Sequence, residues 1–220
     1  MNPCAVDTAR APAFSADRTT WQWIPAQTAD AETNMSLDRE LFRQVLENRS
    51  GPVLRFYQWT RPALSYGRSG RLAAQLIEDL KKQNWEIVQR PTGGGKVQHG
   101  DDLCFTLIWR KENSSIPWPV NESYCAIHGW LKESLRKMGI ASEHCEQGQY
   151  PAAAGDPGWC FTDAVRNDLM SGGRKIIGGA QWRDRNTALH QGSIQLRLPD
   201  NAVKIFKQDF SNIFSVSFGE

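Results

Sequence analysis

Arg90-Pro-Thr-Gly-Gly-Gly-Lys-Val-Gln-His99 is the stretch of this chain that says most about its fold. Its three consecutive glycines follow an arginine and precede an apolar run that starts at Leu103. A second stretch, Gly173-Arg-Lys-Ile-Ile-Gly-Gly-Ala-Gln181, places Lys175 in a strand-like segment that ends in another glycine pair. Glycine lets backbone amides approach a ligand closely. We therefore predict a site for an anionic small molecule, to which the two stretches contribute one cation each, Arg90 and Lys175.

The glycines do not match the familiar phosphate-binding motifs. Val97 follows Gly95-Lys96 where a P-loop needs Ser or Thr, and no glycine lies five residues before Gly95. The spacing also differs from that of a dinucleotide-binding loop. Taken singly, the glycine triplet is equally compatible with a flexible turn, and Lys175 with a lysine on the solvated face of a strand. The prediction of a site depends on the two stretches together.

Length and composition indicate one globular domain. The chain has 220 residues, of which 40% are hydrophobic, so it can bury a sizeable core. We predict an irregular arm over residues 1–20 and a single domain over 21–220. The 26 basic residues are offset by 24 acidic ones and leave a net charge of +2. This balance gives no electrostatic footprint for a nucleic acid partner.

The cysteines indicate a reduced, cytoplasmic protein. Their number is odd, no Cys-x-x-Cys pair occurs, and the chain has neither an apolar N-terminal segment nor a run of 18 apolar residues that would suit a membrane. Cys104 lies in an apolar strand-like run and Cys125 in a helical stretch. We predict that both are small core residues.

The apolar pattern predicts a mixed α+β domain. Leu37, Leu41 and Val45 recur at helical spacing behind the capping candidates Asn34 and Ser36. Helices are predicted at 35–48, 72–83, 121–138 and near 200–208. Strands are predicted at 53–59, 63–66, 85–89 and 103–109, followed by a three-strand meander over 167–196, and a loop over 143–159. The glycine triplet then bridges two strands, which can hold it rigidly.

Turn length decides where Lys175 points. Gly172-Gly173 is a strong signal for a two-residue turn, which pairs Met170 with Lys175 and places Asp168 diagonally on the same face. A carboxylate then orients the ammonium. A three-residue turn instead sends Asp168 and Lys175 to opposite faces.

Eight stretches of the chain, in this order, resemble one known family. They are Asn34-Met-Ser-Leu-Asp38, Pro52-Val-Leu-Arg-Phe-Tyr-Gln-Trp59, Pro62-Ala-Leu-Ser-Tyr-Gly-Arg68, the Arg90 to His99 loop, Cys160-Phe161, Asn167-Asp168, Gly173 to Gln181 and Gln191-Gly-Ser-Ile194. Over roughly residues 20 to 210 the chain is similar to the lipoate–protein ligase and octanoyltransferase family, whose catalytic domain shares its fold with biotin ligases. The resemblance implies that same α+β domain here.

The ligase members imply the activity that we favour at this stage. Such an enzyme activates lipoate or octanoate with ATP and Mg²⁺ to an acyl-adenylate, and passes the acyl group to a lysine of a lipoyl carrier domain. Charge develops on the phosphate and the acyl oxygen, so a fixed cation is expected, and by resemblance it is Lys175. The resemblance also implies substrate or nucleotide binding by Arg90, Gly93, Gly94, Gly95, Lys96, Val97, His99, Asn167, Asp168, Gly178 and Ala180, with Asp168 near the magnesium.

The octanoyltransferases of the same family imply an alternative. In them a cysteine takes octanoate from an acyl carrier protein as a thioester, without ATP, and Cys160 stands where one branch has its Cys-Phe dipeptide. The sequence Ala164-Val-Arg-Asn-Asp-Leu169 is more similar to the corresponding stretch of the ligases. We therefore rank the transferase second. A non-catalytic relative that binds acyl groups is a third interpretation. A biotin ligase is disfavoured because its loop alternates glycine with arginine.

The chain departs from the family pattern at a few places. It has His190-Gln191-Gly192-Ser193 where His-Gly-Ser is common. It also ends at Glu220, without the accessory domain of many ligases. We expect either that a separate polypeptide supplies this function or that the function is dispensable.

Overall fold

The computed structural model describes residues 21–146, 161 and 164–214. Within these ranges the chain forms ten strands, four α-helices and a short 3-10 helix. The strands are β1 (Gln22–Ala29), β2 (Val53–Trp59), β3 (Ala63–Tyr66), β4 (Glu86–Gln89), β5 (Lys96–His99), β6 (Leu103–Arg110), β7 (Glu143–His144), β8 (Leu169–Ser171), β9 (Arg174–Asp184) and β10 (Thr187–Ile194). The helices are α1 (Ala31–Leu46), α2 (Ala74–Lys82), α3 (Val120–Lys137) and α4 (Asp200–Asn212), and the 3-10 helix is Lys111–Asn113.

The strands form two sheets. The larger sheet has seven strands in the order β1-β2-β6-β10-β9-β8-β7, and the smaller has the order β4-β3-β5. Strand β1 runs parallel to β2, and β3 runs parallel to β4, whereas the other pairs are antiparallel. The mixed sheets with their helices confirm the predicted α+β class. The predicted arm over 1–20 lies outside the described residues.

Helices cover both faces of the larger sheet. Successive side chains of a strand point to opposite faces. Accordingly Val53 packs with Leu41, Phe42 and Val45 of α1 in one core cluster, whereas its neighbour Leu54 belongs to another. That second cluster is formed by apolar strand residues together with α3 and α4, whose contributions are Ile127, Leu131, Leu135, Phe206 and Phe210.

Helix α1 begins earlier than the sequence predicts. Asp30 caps it, since its carboxylate accepts a hydrogen bond from the Thr33 amide at 2.8 Å. Asn34, predicted as a cap, lies inside the helix and donates from its amide to the carbonyls of Ala29 and Gln58. The correction has a physical reason. Asn34 is fully buried and needs these partners, whereas Asp30 stands at the exposed start of the helix.

The sequence pattern did not predict three of the strands. Strand β1 has no regular apolar alternation, and its pairing with β2 shifts register between Ile24 and Gln27, around a proline. Strand β5 is four residues long and starts directly after the glycine triplet. Strand β7 has two residues and begins the segment predicted as loop, of which residues 147–159 lie outside the described ranges. The other predicted elements agree with the structure to within a few residues.

A buried ion pair joins α1 to the middle of the larger sheet. Arg55 on β2 and Asp38 on α1 are both fully buried, and Arg55 Nη1 donates to Asp38 Oδ1 at 2.7 Å. Arg55 Nη2 also donates to Asn34 Oδ1 at 2.6 Å. The other Asp38 oxygen accepts from Thr106 Oγ1 at 2.8 Å and from Gln191 Nε2 at 2.7 Å. Each charge therefore has several partners, as a buried charge requires.

The cysteines differ from the prediction. Cys104 and Cys145 are free and buried. Cys125 is buried on α3, as expected of a core residue, but it is disulfide-bonded, so the prediction of a wholly reduced chain was wrong.

No helix in the described part of the chain combines the length and the apolar character needed to cross a membrane.

Replacing Asp38 with Ala should destabilise the fold strongly. The change leaves the Arg55 guanidinium buried without its carboxylate, which typically costs about 3–5 kcal/mol. Urea unfolding followed by tryptophan fluorescence measures the loss. Glu40→Ala is the matched control, because Glu40 lies on the same helix and bonds Arg43 at the exposed surface; its unfolding midpoint should barely change. Equal midpoints for the two variants would contradict the role given to the buried pair.

Candidate functional site

A cavity of about 230 Å³ lies where the glycine loop, α1 and both sheets meet. Most of the residues predicted to bind a ligand line it, namely Arg90, Gly94, Gly95, Val97, His99, Lys175, Gly178 and Ala180. The described lining does not include Gly93, Lys96, Asn167 or Asp168. The structure therefore brings the two glycine-rich stretches together around one cavity.

Arg90 shapes the glycine loop. Its Nε and Nη2 donate to the Gly93 carbonyl at 3.1 and 2.7 Å, and Nη2 also donates to the Gly95 carbonyl at 2.8 Å. The loop thus wraps around the guanidinium. Gly94, between these two carbonyls, has φ +87°, a conformation that costs a residue with a Cβ atom considerable strain.

Lys175 and Asp168 form a buried pair, as the two-residue turn predicts. Met170 pairs with Lys175 across Gly172-Gly173, and Lys175 Nζ lies 2.7 Å from Asp168 Oδ2. The exposed fractions are 6% for Lys175 and 1% for Asp168. Burial raises the pKa of Asp168 above its ordinary value, although the attraction of Lys175 and the hydrogen bond from the Val165 amide oppose the rise.

Gly178 makes room for this pair. A Cβ atom on Gly178 would lie 2.5 Å from Lys175 Cε and 2.9 Å from Nζ, closer than atoms can pack. Gly178 therefore has a steric purpose that is independent of any ligand. It lets the lysine fold back to the carboxylate.

Asn167 is positioned by its backbone. It has φ +73°, which asparagine tolerates better than most residues. Its amide donates to the Cys145 carbonyl at 3.0 Å, and its carbonyl accepts from His128 Nδ1 at 2.6 Å. Its side-chain nitrogen lies 3.3 Å from the Asn121 carbonyl. The predicted contact of Asn167 with a nucleotide stays a prediction.

Sequence reasoning missed a polar cluster around His99. His99 Nδ1 lies 2.8 Å from Asp102 Oδ2, and His99 Nε2 lies 2.7 Å from Ser65 Oγ. Asp102 also accepts from Ser193 Oγ at 2.6 Å and from the Gly100 amide at 3.0 Å. Burial alone would raise the pKa of Asp102, but His99 and these hydrogen bonds outweigh it and lower the pKa. The sequence did contain a signal for the contact between His99 and Asp102, because the two residues are only three positions apart.

The same cluster is the one group of possible metal ligands found among the described residues. Donor atoms of His99, Asp102 and Cys104 lie within 4.8 Å of one another. Cys104 is a poor ligand here, because burial and the neighbouring Asp102 raise its pKa well above the ordinary value and keep the thiol protonated. Asp168, the predicted magnesium residue, does not belong to such a group within the described part of the chain.

Gln191 ties the glycine loop to the buried ion pair. Its Oε1 accepts from Thr92 Oγ1 at 2.7 Å, and its Nε2 donates to Asp38 Oδ2 at 2.7 Å. Gln191 stands at a position where the sequence departs from the family pattern, and the amide can both donate and accept. Gln191 therefore connects the glycine loop to Asp38 through its side-chain amide, although it departs from the family pattern.

A family model matches most of the chain. The model for the lipoyl protein ligase A/B catalytic domain matches residues 30–213, which contain the glycine loop and the Lys175 strand. The chain belongs to this family. Membership confirms the resemblance drawn from the eight stretches.

The curated relatives of this chain are named octanoyltransferases. The chain is 31% identical over 187 residues to the octanoyltransferase LipM of Bacillus subtilis, covering 83% of this chain and 67% of the relative. The corresponding enzyme of Carboxydothermus hydrogenoformans is 31% identical over 190 residues, with 86% and 70% covered. A similar octanoyltransferase of Oceanobacillus iheyensis is covered to 66%, so the chain spans about two thirds of the length of these relatives.

Solved structures support the fold. A T. acidophilum protein with bound lipoic acid, described as a candidate lipoate protein ligase, has a TM-score of 0.70 at 18% identity, with 92% of this chain and 88% of that chain covered. A lipoate-protein ligase A bound with ATP has a TM-score of 0.68 at 17% identity, with 92% and 88% covered. At such identities the likeness concerns the fold alone.

The favoured prediction of an ATP-dependent ligase was wrong. The curated relatives are named octanoyltransferases, so the alternative agrees better with them. The prediction gave too much weight to the Asn167-Asp168 pair. In the structure the Asp168 carboxylate forms an ion pair with Lys175.

Cys160, the nucleophile of that alternative, lies outside the described residues. Its neighbour Phe161 is described and lines the cavity. The Phe161 ring centroid lies 5.0 Å from Lys175 Nζ, a cation–π contact.

Acidification should destabilise the protein through His128. Burial lowers the pKa of His128 from 6.5 to about 3. Below pH 6.5 the unfolded chain therefore takes up a proton that the folded protein accepts only near pH 3. We expect this histidine to steepen the fall in the free energy of unfolding by about 1.4 kcal/mol per pH unit in that window. His128→Asn keeps a donor for Asn167 but cannot titrate. Urea unfolding at several pH values should show a shallower slope for the variant, and parallel slopes would refute the assignment.

Proposed function

We propose that this chain is an octanoyltransferase that moves an octanoyl group from an acyl carrier protein to a lysine of a lipoyl domain, through a thioester on Cys160. The observation that carries the proposal is a buried Lys175–Asp168 pair whose lysine lines the cavity, in a chain whose curated relatives are named octanoyltransferases. Lipoyl domains as acceptors agree with membership of the lipoyl protein ligase A/B family.

The cavity suits an acyl chain with a polar head. Met35, Trp59, Val97 and Phe161 contribute apolar walls, which favour a hydrocarbon chain over water. Lys175 is a charged group on the same lining. A fixed ammonium in a buried site stabilises negative charge far better than one in water, because solvent does not screen it.

The first half of the reaction is a thioester exchange. The thiolate of Cys160 attacks the carbonyl carbon of the octanoyl thioester, the bond from carbon to the carrier's sulfur breaks, and the carrier leaves as a thiol after it takes up a proton. In this proposal the Lys175 ammonium stabilises the thiolate and the oxyanion of the intermediate. Asp168 holds the ammonium in position at 2.7 Å.

The second half is aminolysis. The neutral amine of the target lysine attacks the Cys160 thioester, the carbon–sulfur bond breaks as the amide forms, and the proton that the amine loses passes to the Cys160 sulfur. An amide is more stable than a thioester, so no further activation is required. ATP and Mg²⁺, which were expected for a ligase, have no role in this proposal. The expected accessory polypeptide stays a prediction.

Cys160 should accept the octanoyl group covalently. Protein reduced beforehand, so that every thiol is available, is incubated with octanoyl acyl carrier protein, and intact mass spectrometry is recorded. We expect an increment of one octanoyl group that hydroxylamine removes, as it does for a thioester. Cys104→Ala is the matched control, since the Cys104 thiol lines the cavity and is protonated; it should still form the thioester. Peptide mass mapping then locates the octanoyl group, and its absence from the peptide that contains Cys160 would rule out the proposed nucleophile.

Lys175→Ala should lower octanoyl transfer by about 100-fold or more, because it removes a fixed cation from the reacting charge. Gly178→Ala should cause a comparable loss, since its Cβ atom would collide with Lys175 Cε. Arg174→Ala, the exposed neighbour on the same strand, is the control and should transfer normally. Transfer is followed by the mass shift of a lipoyl domain. Near-normal rates in a folded Lys175→Ala protein would remove Lys175 from the mechanism.

A further inference from the structure

Ser65, His99 and Asp102 are arranged like the Ser-His-Asp triad of a serine hydrolase, and we call these three residues the relay. Ser65 Oγ lies 2.7 Å from His99 Nε2, and His99 Nδ1 lies 2.8 Å from Asp102 Oδ2. An ionised Asp102 accepts from Nδ1–H, which leaves the Nε2 lone pair free to accept the serine proton. These roles follow from a histidine whose two nitrogens face a carboxylate and a hydroxyl.

The register of the smaller sheet produces this arrangement. Ser65 on β3 pairs with Val97 on β5, so His99 lies diagonally across the strands on the same face. Trp59 stacks on the imidazole at 4.2 Å between ring centroids, and this contact fixes the plane of the ring. Ser65 and His99 therefore lie on strands of the smaller sheet, and Asp102 lies directly before the start of β6.

Arg90 completes the electrostatics. Its Nη1 donates to Ser65 Oγ at 3.2 Å, which occupies an oxygen lone pair and directs the hydroxyl proton to His99. The same guanidinium is close enough to Ser65 Oγ to stabilise negative charge that develops when Ser65 attacks a carbonyl. Ser65, His99 and Arg90 all line the cavity.

We propose that Ser65 is a second acyl acceptor in this cavity, activated by His99 as base with Asp102 as positioning residue, and that it gives the protein a hydrolase activity toward medium-chain acyl thioesters. That the acyl group is octanoyl rests on the proposed function. The relay itself rests on the two distances that join Ser65, His99 and Asp102 and on the access that the cavity provides.

The steps balance without a further reagent besides water. Ser65 Oγ attacks the thioester carbonyl while His99 Nε2 takes its proton. The carbon–sulfur bond breaks, and the leaving sulfur receives that proton from His99. His99 then takes a proton from water, the hydroxide attacks the Ser65 ester, and Ser65 Oγ recovers the proton as the carbon–oxygen bond breaks. The products are the free fatty acid and the thiol.

The test combines labelling with hydrolysis. An octyl fluorophosphonate probe is added to the full chain, and peptide mass mapping locates the adduct. Hydrolysis of octanoyl-CoA is then measured in a Cys160→Ala background, where that thiol cannot contribute. We expect the adduct on Ser65 and a loss of hydrolysis of at least about 100-fold in Ser65→Ala. Ser171→Ala is the matched control, because Ser171 bonds the Ala141 carbonyl away from the cavity; it should hydrolyse normally.

The absence of an adduct on Ser65, or equal hydrolysis with and without Ser65, would overturn the proposal. Labelling of the unmutated residue decides the matter even if Ser65→Ala fails to fold. Octanoyl transfer to a lipoyl domain is recorded in parallel with the wild-type chain. A protein that transfers but neither labels nor hydrolyses keeps the proposed function and loses this inference. A protein that is labelled on Ser65 and hydrolyses octanoyl-CoA, but does not transfer the octanoyl group, keeps this inference and loses the proposed function.

Discussion

The buried ion pair between Arg55 and Asp38 is the interaction on which the rest of the site depends. Two opposite charges that are fully withdrawn from water are tolerated only when they pair in good geometry and further hydrogen bonds satisfy most of their remaining polar atoms. Here that requirement fixes α1 against the larger sheet. It also reaches the glycine loop, because Gln191 bridges Asp38 and Thr92. Stability and the shape of the cavity are thus coupled through one network of hydrogen bonds.

Two of the polar side chains that line the cavity are each held by a carboxylate. Asp168 orients the ammonium of Lys175, and Asp102 orients the imidazole of His99. Apolar walls surround both, so the charges act in a poorly screened environment. The first pair supports acyl transfer in the proposed mechanism. The second gives the same acyl group another place to react, so the two proposals describe competing outcomes for one substrate.

Local patterns predicted the α+β class, most elements and the Lys175–Asp168 pairing, because alternation, helical spacing and a two-residue turn are encoded by neighbouring residues. The relay at Ser65 could not be predicted in this way. It depends on the register between β3 and β5, and β5 is too short to give a pattern of its own. The start of α1 was not predicted correctly because the burial of Asn34 cannot be read from the helix segment alone. That burial is the reason why the Asn34 side chain bonds the carbonyls of Ala29 and Gln58 and does not cap the helix. The choice between ligase and transferase failed for a similar reason, since both activities share the motifs that the chain displays.

The most direct measurement compares two acyl donors on one acceptor. A purified lipoyl domain is incubated with the protein and either octanoyl acyl carrier protein without nucleotide or octanoate with Mg-ATP, and the mass of the domain is followed with time. Our account predicts octanoylation from the carrier thioester, with no dependence on ATP. Octanoylation only with free octanoate and Mg-ATP, accompanied by release of pyrophosphate, would contradict it.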